Sequence, residues 1–347
     1  MAKDTPQVGS NRPRLALHVP EPPARPGEAA DYAHLPTAER IWASAGVRSR
    51  HLVADPVEDD LSRESTRARM ERYAAEAPSL GKEAVAAALA GAGLQPDQVG
   101  MFAVVSCTGY AAPGLDITLA RDLGMPADLR RIVIGHMGCY AALPALATAT
   151  DFVRSHGRPA VVLSCELTSL HRQPPTEELE QVVAHALFGD ACAAVVLEPT
   201  DGGMAGLEVL EVVTLTDPST LDHMSWDVTD LGFRMGLSPR VPAVIRHHIG
   251  DLVTGLLDRH GLELDDVAHW AVHPGGPRVV DAVTGVLELA PDQTAASYEV
   301  LAEFGNCSSA TVLLVLERLG PVASGEHVVA LTFGPGLTLC AALLRGA

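Results

Sequence analysis

Residues 131–146 read RIVIGHMGCYAALPAL, and the fold is decided by how this stretch is read. Arg131–Ile134 is rich in β-branched residues and predicts a short strand. Gly135 and Gly138 then break the pattern. The Ala- and Leu-rich run that follows predicts a helix over residues 139–155. A strand handed to a helix through a glycine turn is the building unit of an α/β protein. Pro144 falls within the first helical turns and marks either a kink or a late start. Cys139 therefore lies at or near a helix N-terminus, where unpaired N–H groups and the helix dipole favour a thiolate.

Working outward, the same alternation continues in both directions. Upstream, residues 36–47 predict a helix closed by Gly46, and residues 63–93 an Ala- and charge-rich helix broken near Pro78 and Gly81. Val99–Cys107 reads as a buried strand and Leu115–Leu123 as a helix. Downstream come a strand at Ala160–Cys165, a helix at Glu177–Leu187 and a strand at Ala191–Leu197. A similar order recurs: a strand at Leu207–Thr214, a helix at Val241–Arg259, a strand ending at Trp270–His273, helices at Val279–Leu289 and Ser308–Leu319, then strands at Val328–Phe333 and Leu337–Leu344. Residues 1–35 read as a tail with a short strand at Arg14–Val19. The Pro/Gly-rich stretch Pro199–Gly206 reads as a connector. The expectation is an α/β chain with buried mixed sheets, in two related halves spanning residues 1–200 and 201–347.

Composition bounds the function. The chain has 347 residues, 47% of them hydrophobic and 20% charged, which suits a globular protein and excludes fibrous and low-complexity classes. Its net charge of −18 leaves little basic residue to spare for nucleic acid or for an anionic membrane surface, although local arginines can still bind a small anion. No apolar run reaches the ~18 residues of a spanning helix, and the first residues do not read as a signal peptide. None of the six cysteines forms a CxxC pair, so neither zinc nor a dithiol is indicated, and the cytoplasm is the expected compartment.

Four segments can carry chemistry. The first holds Cys139. The second is WAVHPGGPRVVD (270–281), in which His273 ends an apolar strand and meets a Pro-Gly-Gly-Pro turn. Strand ends in α/β folds are where side chains reach a cleft. The third is EFGNCSSATVLLVLERL (303–319), where Asn306 can cap the helix or aim its amide into that cleft. The fourth, LTFGPGLTL (331–339), lacks the third glycine of a dinucleotide fingerprint; its Gly334 and Gly336 read as a tight turn shaping a cavity wall. His247 and His248 are adjacent on a helix and point apart, so no metal site is expected there.

Cys139 in GHMGC, His273 in HPGGP and Asn306 in GNCSSA, in this order, resemble the chalcone-synthase-like type III polyketide synthases. LFGDACAAVVL (187–197) and FGPGLT (333–338) fit the same family. The resemblance runs from about residue 36 to the C-terminus. It implies a thiolase-like fold, five layers in the order αβαβα built from two related halves, and a homodimer. It implies acyl-CoA and malonyl-CoA (or methylmalonyl-CoA) substrates, with no metal or redox cofactor. By the resemblance, Cys139 takes the acyl group, His273 holds its thiolate as an ion pair, and His273 with Asn306 stabilises the enolate left by decarboxylation. Phe188 and Phe233 match the phenylalanines where the CoA tunnel meets the cavity. Cys107, Thr168, His171, Met224 and Ser308 match cavity-lining positions, and Arg48 and Arg50 fall in the stretch that meets CoA phosphates. SCTGY (106–110) looks more like bacterial naphthalene-type and alkylpyrone-type members than like plant enzymes. His171 and Met224 depart from the plant choices and argue against a flavonoid. The implied product is a pyrone, resorcinol or related ring. The alternative is an acyltransferase or single-round ketosynthase that uses the same three residues.

Overall fold

Alternate side chains along the buried strands pack against different helices, and this sorts the chain into layers. The computed structural model describes residues 14–18, 24–25, 36–54, 59–174, 176–199 and 206–347. The first half contains strands β1 (Arg14–His18), β2 (Ala24–Arg25), β3 (Arg50–His51), β4 (Met101–Ser106), β5 (Arg130–Gly135), β6 (Ala160–Glu166) and β7 (Ala191–Glu198). Its helices are α1 (Pro36–Ser44), α2 (Thr66–Ala92), α3 (Leu115–Leu123), α4 (Ala142–His156) and α5 (Leu179–Leu187). The second half contains β8 (Leu207–Thr216), β9 (Met224–Thr229), β10 (Gly232–Leu237), β11 (Val267–Val272), β12 (His327–Gly334) and β13 (Thr338–Gly346), with α6 (Val241–Asp258), α7 (Pro277–Leu287), α8 (Ala295–Phe304) and α9 (Thr311–Arg318).

Nine strands form one ladder in the order β11-β12-β13-β8-β1-β7-β6-β4-β5. β1 bridges the halves, antiparallel to both β7 and β8. On β4, Met101, Ala103 and Val105 face one side, packing with α4 and α9, while Phe102 and Val104 face α2 and α3. β13 repeats the pattern: Cys340, Ala342 and Leu344 face the α4 and α9 side, and Leu339, Ala341 and Leu343 face α6 and α7. Side chains alternate across a strand, so both sheet faces are apolar and both must be covered. The result is the expected five layers: α2 and α3, the first half-sheet, the buried pair α4 and α9, the second half-sheet, then α6 and α7.

Three expectations are corrected. The helix over 63–93 does not break: α2 runs through Pro78 to a left-handed cap at Gly93. A proline inside a helix costs ~3 kcal/mol. Here Tyr73, Ala77, Gly81, Ala84, Val85, Ala88 and Leu89 are buried in one stripe along it, and that packing holds the helix together. The hairpin of β9 and β10 was not expected, because neither strand alternates cleanly between buried and exposed residues. Nor was α8, a ten-residue helix between a 3-10 turn and Gly305. The tail and connector readings, at residues 1–35 and 199–206, lie largely outside the described residues; within them, a strand covers Arg14–His18.

Candidate active site

β5 hands the chain to a tight turn at residues 136–141, and α4 starts only at Ala142. Pro144 is thus the third helical residue, where its missing N–H costs nothing. Cys139 sits in the turn with 6% of its surface exposed. Gly138 has φ +85°, and a Cβ there would meet Cδ of Pro335 at 2.5 Å; a Cβ on Gly334 would meet the Tyr140 ring at 2.4 Å. Only glycines let the nucleophile turn and the Gly-Pro-Gly turn close on each other.

His273 follows β11 directly, and its backbone N–H donates to the Leu331 carbonyl of β12 at 2.8 Å. The side chain is 1% exposed, and neither ring nitrogen has a hydrogen-bond partner. A buried polar group left open in this way marks a place where a ligand atom can sit. Asn306 lies between α8 and α9. Its backbone N–H donates to the Leu187 carbonyl and its own carbonyl accepts from Gly189, which pins it beside Phe188 at the end of α5. The side-chain oxygen accepts from the Ser308 N–H at 2.9 Å. That bond orients the amide, whose side chain also hydrogen-bonds Cys139. Cys139, His273 and Asn306 all line one cavity of about 560 Å3, whose walls run outward to the exposed Ser44, Leu179 and Glu180.

Burial dominates the electrostatics of the two groups. Burial pushes the Cys139 thiol up to about 12, against hydrogen bonds from Ser308 and Asn306 that pull it down. Burial alone drives the His273 imidazole down to about 3. In the ligand-free structure burial thus favours the uncharged form of each group, while the hydrogen bonds at Cys139 favour its thiolate.

A second hollow of about 20 Å3 also reaches Cys139; Cys107, Thr168, Met224 and Ser308 line it, and Met224 lines the large cavity as well. Phe188 lines both hollows. Other expected residues fall elsewhere. Phe233 is fully buried and lines neither hollow; it stacks on His171 with centroids 4.3 Å apart. Met235, two residues further along β10, takes the lining position in both. His171 is behind the wall: Nε2 donates to the Thr108 carbonyl at 2.5 Å and Nδ1 accepts from the Phe233 N–H at 3.0 Å. Burial lowers its pKa to about 4, in keeping with this neutral tautomer. Gly334 and Gly336 shape the turn, while their neighbours Phe333 and Pro335 do the lining. Arg50 is buried and donates to the carbonyls of His185 and Phe188, so it holds the end of α5 and does not face a phosphate. Arg48 is exposed but lines neither hollow.

Four contributors were not singled out from sequence. Arg278 is the one cation among the described residues lining the large cavity. Met235 and Trp226 face each other across the hairpin and both line the small one. Glu166 ends β6 fully buried, and burial raises its pKa. It accepts from the Cys107 N–H and the Thr108 hydroxyl, each at 2.9 Å, and from the Ser309 hydroxyl, which locks the loop after β4 to the one holding Asn306. A charged residue at the end of an apolar strand was the available signal for Glu166.

Comparison with known proteins agrees with this geometry. Residues 48–200 match the family described as chalcone and stilbene synthases, N-terminal domain, and residues 211–347 match its C-terminal domain. The chain is 36% identical over 348 residues to 1,3,6,8-tetrahydroxynaphthalene synthase of Streptomyces peucetius subsp. caesius, covering 95% of this chain and 92% of the relative. It is 33% identical over 315 residues to the alpha-pyrone synthesis polyketide synthase-like Pks18 of Mycobacterium tuberculosis, covering 86% and 80%. The crystal structure of PKS-I from the brown alga Ectocarpus siliculosus superposes with a TM-score of 0.89 at 28% identity, covering 97% of this chain and 98% of that one.

Proposed function

The chain belongs to the chalcone and stilbene synthase family and is a type III polyketide synthase, and we propose that Cys139, His273 and Asn306 are its catalytic residues, with acyl-CoA and malonyl-CoA as substrates. The observation that carries this reading is the convergence of the three side chains on one cavity, with both ring nitrogens of His273 open to a ligand.

As Cys139 Sγ attacks the acyl-CoA carbonyl, its proton passes to His273. The C–S bond of the thioester breaks, the CoA thiol leaves with that proton, and the acyl group stays on Cys139. Malonyl-CoA then loses carbon dioxide. The electron pair of the broken C–C bond becomes an enolate, whose oxygen accepts hydrogen bonds from His273 and from the Asn306 NH2. Preorganised donors at such an oxygen are worth about 2.7–4 kcal/mol each. The carbanion attacks the acyl carbonyl, Cys139 Sγ leaves as thiolate, and a β-ketoacyl-CoA results. Departure of carbon dioxide makes the carbanion without a base, so the proposed reaction calls for no metal or redox cofactor. Repetition and ring closure give a pyrone, resorcinol or related aromatic product.

Arg278, at the mouth beside the start of α7, is the proposed contact for CoA phosphates in place of Arg48 and Arg50. We also propose a homodimer joined along β5. That strand ends the ladder, and its Val133 is 57% exposed between half-buried Ile132 and Ile134. No helix among the described residues is long and apolar enough to cross a membrane, and the reading assigns the enzyme to the cytoplasm.

The test is incubation with an acyl-CoA and malonyl-CoA labelled in its free carboxyl group. Labelled carbon dioxide together with a cyclised product is the expected result. Acyl transfer without carbon dioxide release would favour a simple acyltransferase and overturn the proposal.

A further inference from the structure

Two cysteines with no part in the catalytic reading face each other inside the first half-sheet. β6 and β7 run antiparallel, and their register sets Cys165 directly opposite Cys192. Side chains of directly opposed residues leave the same face of a sheet. Here both enter the cluster on the α2 side that holds Tyr73, Leu163 and Ala194. Cys165 is 0% exposed and Cys192 2%. The Cys192 S–H donates to the Cys165 sulfur, with the two sulfur atoms 2.8 Å apart. The other four thiols pair with different groups: Cys107 with the Gly138 N–H, Cys139 with Ser308 and Asn306, Cys307 with the Phe304 carbonyl and Cys340 with Thr214.

The backbone already suits a bond between them. Opposed residues of an antiparallel pair have Cα atoms about 4.5–5.5 Å apart, inside the roughly 4.4–6.8 Å that a disulfide spans. The neighbours on β7 are Ala191, Ala193 and Ala194, too small to resist a turn of the side chains. No CxxC spacing announces this dithiol: 27 positions separate the two cysteines, and strand register alone brings them together. The segment between them carries Thr168 of the inner hollow and Val183, Leu187 and Phe188 of the outer one. Cys165 also precedes Glu166, which ties the loop after β4 to the loop of Asn306. A bond between the sulfur atoms closes that whole segment at its base.

We propose that Cys165 and Cys192 are a modification site, which a peroxide converts to a cross-strand disulfide that braces this wall of the active site. One thiol loses its proton and its sulfur attacks a peroxide oxygen. The O–O bond breaks, hydroxide leaves and takes up the proton, and a sulfenic acid remains. The second sulfur attacks the sulfenic sulfur, the S–O bond breaks, and the second S–H proton leaves with that oxygen as water. Two thiols and one hydrogen peroxide thus give one disulfide and two waters; sulfur is oxidised and peroxide oxygen reduced. Burial pushes the Cys192 thiol well above its ordinary range, so the reaction is slow and the pair stays reduced without sustained oxidant. Once formed, the bond restricts the unfolded chain and raises the resistance of the fold to heat.

The experiment does not depend on the catalytic reading, because its readouts are covalent mass and melting temperature. It uses the full chain carrying Cys139→Ala, so that the thiol of the site does not react first, and the same chain with Cys192→Ala added. Each is treated with hydrogen peroxide, unfolded in an alkylating agent, digested without reductant and mapped by mass. The Cys139→Ala chain is expected to lose two hydrogen atoms in intact mass, to yield linked peptides containing Cys165 and Cys192, and to melt about 5 °C higher. Dithiothreitol should reverse all three changes, and the chain with Cys192→Ala should show none of them. If Cys192→Ala does not fold, Cys192→Ser replaces it, and the linked peptides of the parent chain decide the chemistry alone. Both thiols alkylated after treatment, a disulfide between other cysteines, or sulfinic acid on either sulfur in place of the bond would overturn the inference. Linked peptides without a rise in melting temperature would overturn the bracing.

Discussion

Two hollows meet at one sulfur atom, and they differ more than twentyfold in volume: about 560 Å3 on the outer side of Cys139 and about 20 Å3 on the inner side. The outer one has helix residues in its walls, Ile41 of α1, Val183 and Leu187 of α5, Val241 of α6 and Val279 of α7, and it shares Met224 and Met235 of the hairpin with the inner one. The inner one is walled by loops and the hairpin, clamped by Glu166 and by the bond from Trp226. Apolar helix faces can stand apart and leave space. Buried loops cannot, because their polar backbone groups must find partners, and those partners draw the walls together. The site thus has a roomy approach and a tight interior, with the largely buried thiol at the boundary.

The comparison can be broken most sharply at Asn306, which serves the outer side through its NH2 group and the inner side through its bond to Ser308. Asn306→Ala is expected to lower the rate of malonyl-CoA decarboxylation about 10²–10³-fold while leaving the enzyme able to accept an acyl group. Full decarboxylation, read as carbon dioxide release, would remove Asn306 from the machinery. The desolvated thiol makes a second prediction. With Cys139 held up to about 12 and His273 down to about 3, both groups stay neutral from pH 5 to pH 9. The thiolate fraction, and with it the rate of iodoacetamide alkylation of Cys139 in the ligand-free enzyme, should rise about tenfold per pH unit across that range. A plateau beginning below pH 7 would mean that the ion pair already exists at rest.

A smaller effect is expected at the mouth. Arg278→Ala should raise KM for CoA thioesters about three- to tenfold, since an exposed guanidinium–phosphate contact is screened by solvent. Thioesters of N-acetylcysteamine carry no phosphate, and their KM should not move. High salt should mimic the substitution for CoA thioesters only, and an equal loss for both substrate types would point to a change in cavity shape. Against the acidic surface of this chain, with Glu180 also at the mouth, one local cation is a strong discriminator.

How much of this was legible in the sequence differs between the two hollows. The alternation of strands and helices and the turn at Cys139 follow from local patterns, because apolar period and glycine placement are local properties; that His273 and Asn306 meet Cys139 was implied only by the family resemblance. The inner wall depends on pairing at a distance. Phe233 and Met235 share one face of β10, and only the register against β9 decides which of them meets the cavity and which stacks on His171. Arg50 looks like any surface arginine until the carbonyls of α5 gather around it. Trp226 reads as ordinary core until Cys107 is brought to it from 119 residues away in sequence. Pro78 misled because helix propensity was weighed without the stripe of small residues that α2 buries.

All of these contrasts presuppose that the sulfur between the two hollows is the atom that carries the growing chain. Intact-mass analysis and peptide mapping of the protein, mixed with an acyl-CoA and quenched in acid, address this directly. The expected result is a single acyl adduct on the peptide containing Cys139 and none on the Cys139→Ala protein. An adduct on another residue, or one that persists in Cys139→Ala, would contradict the account.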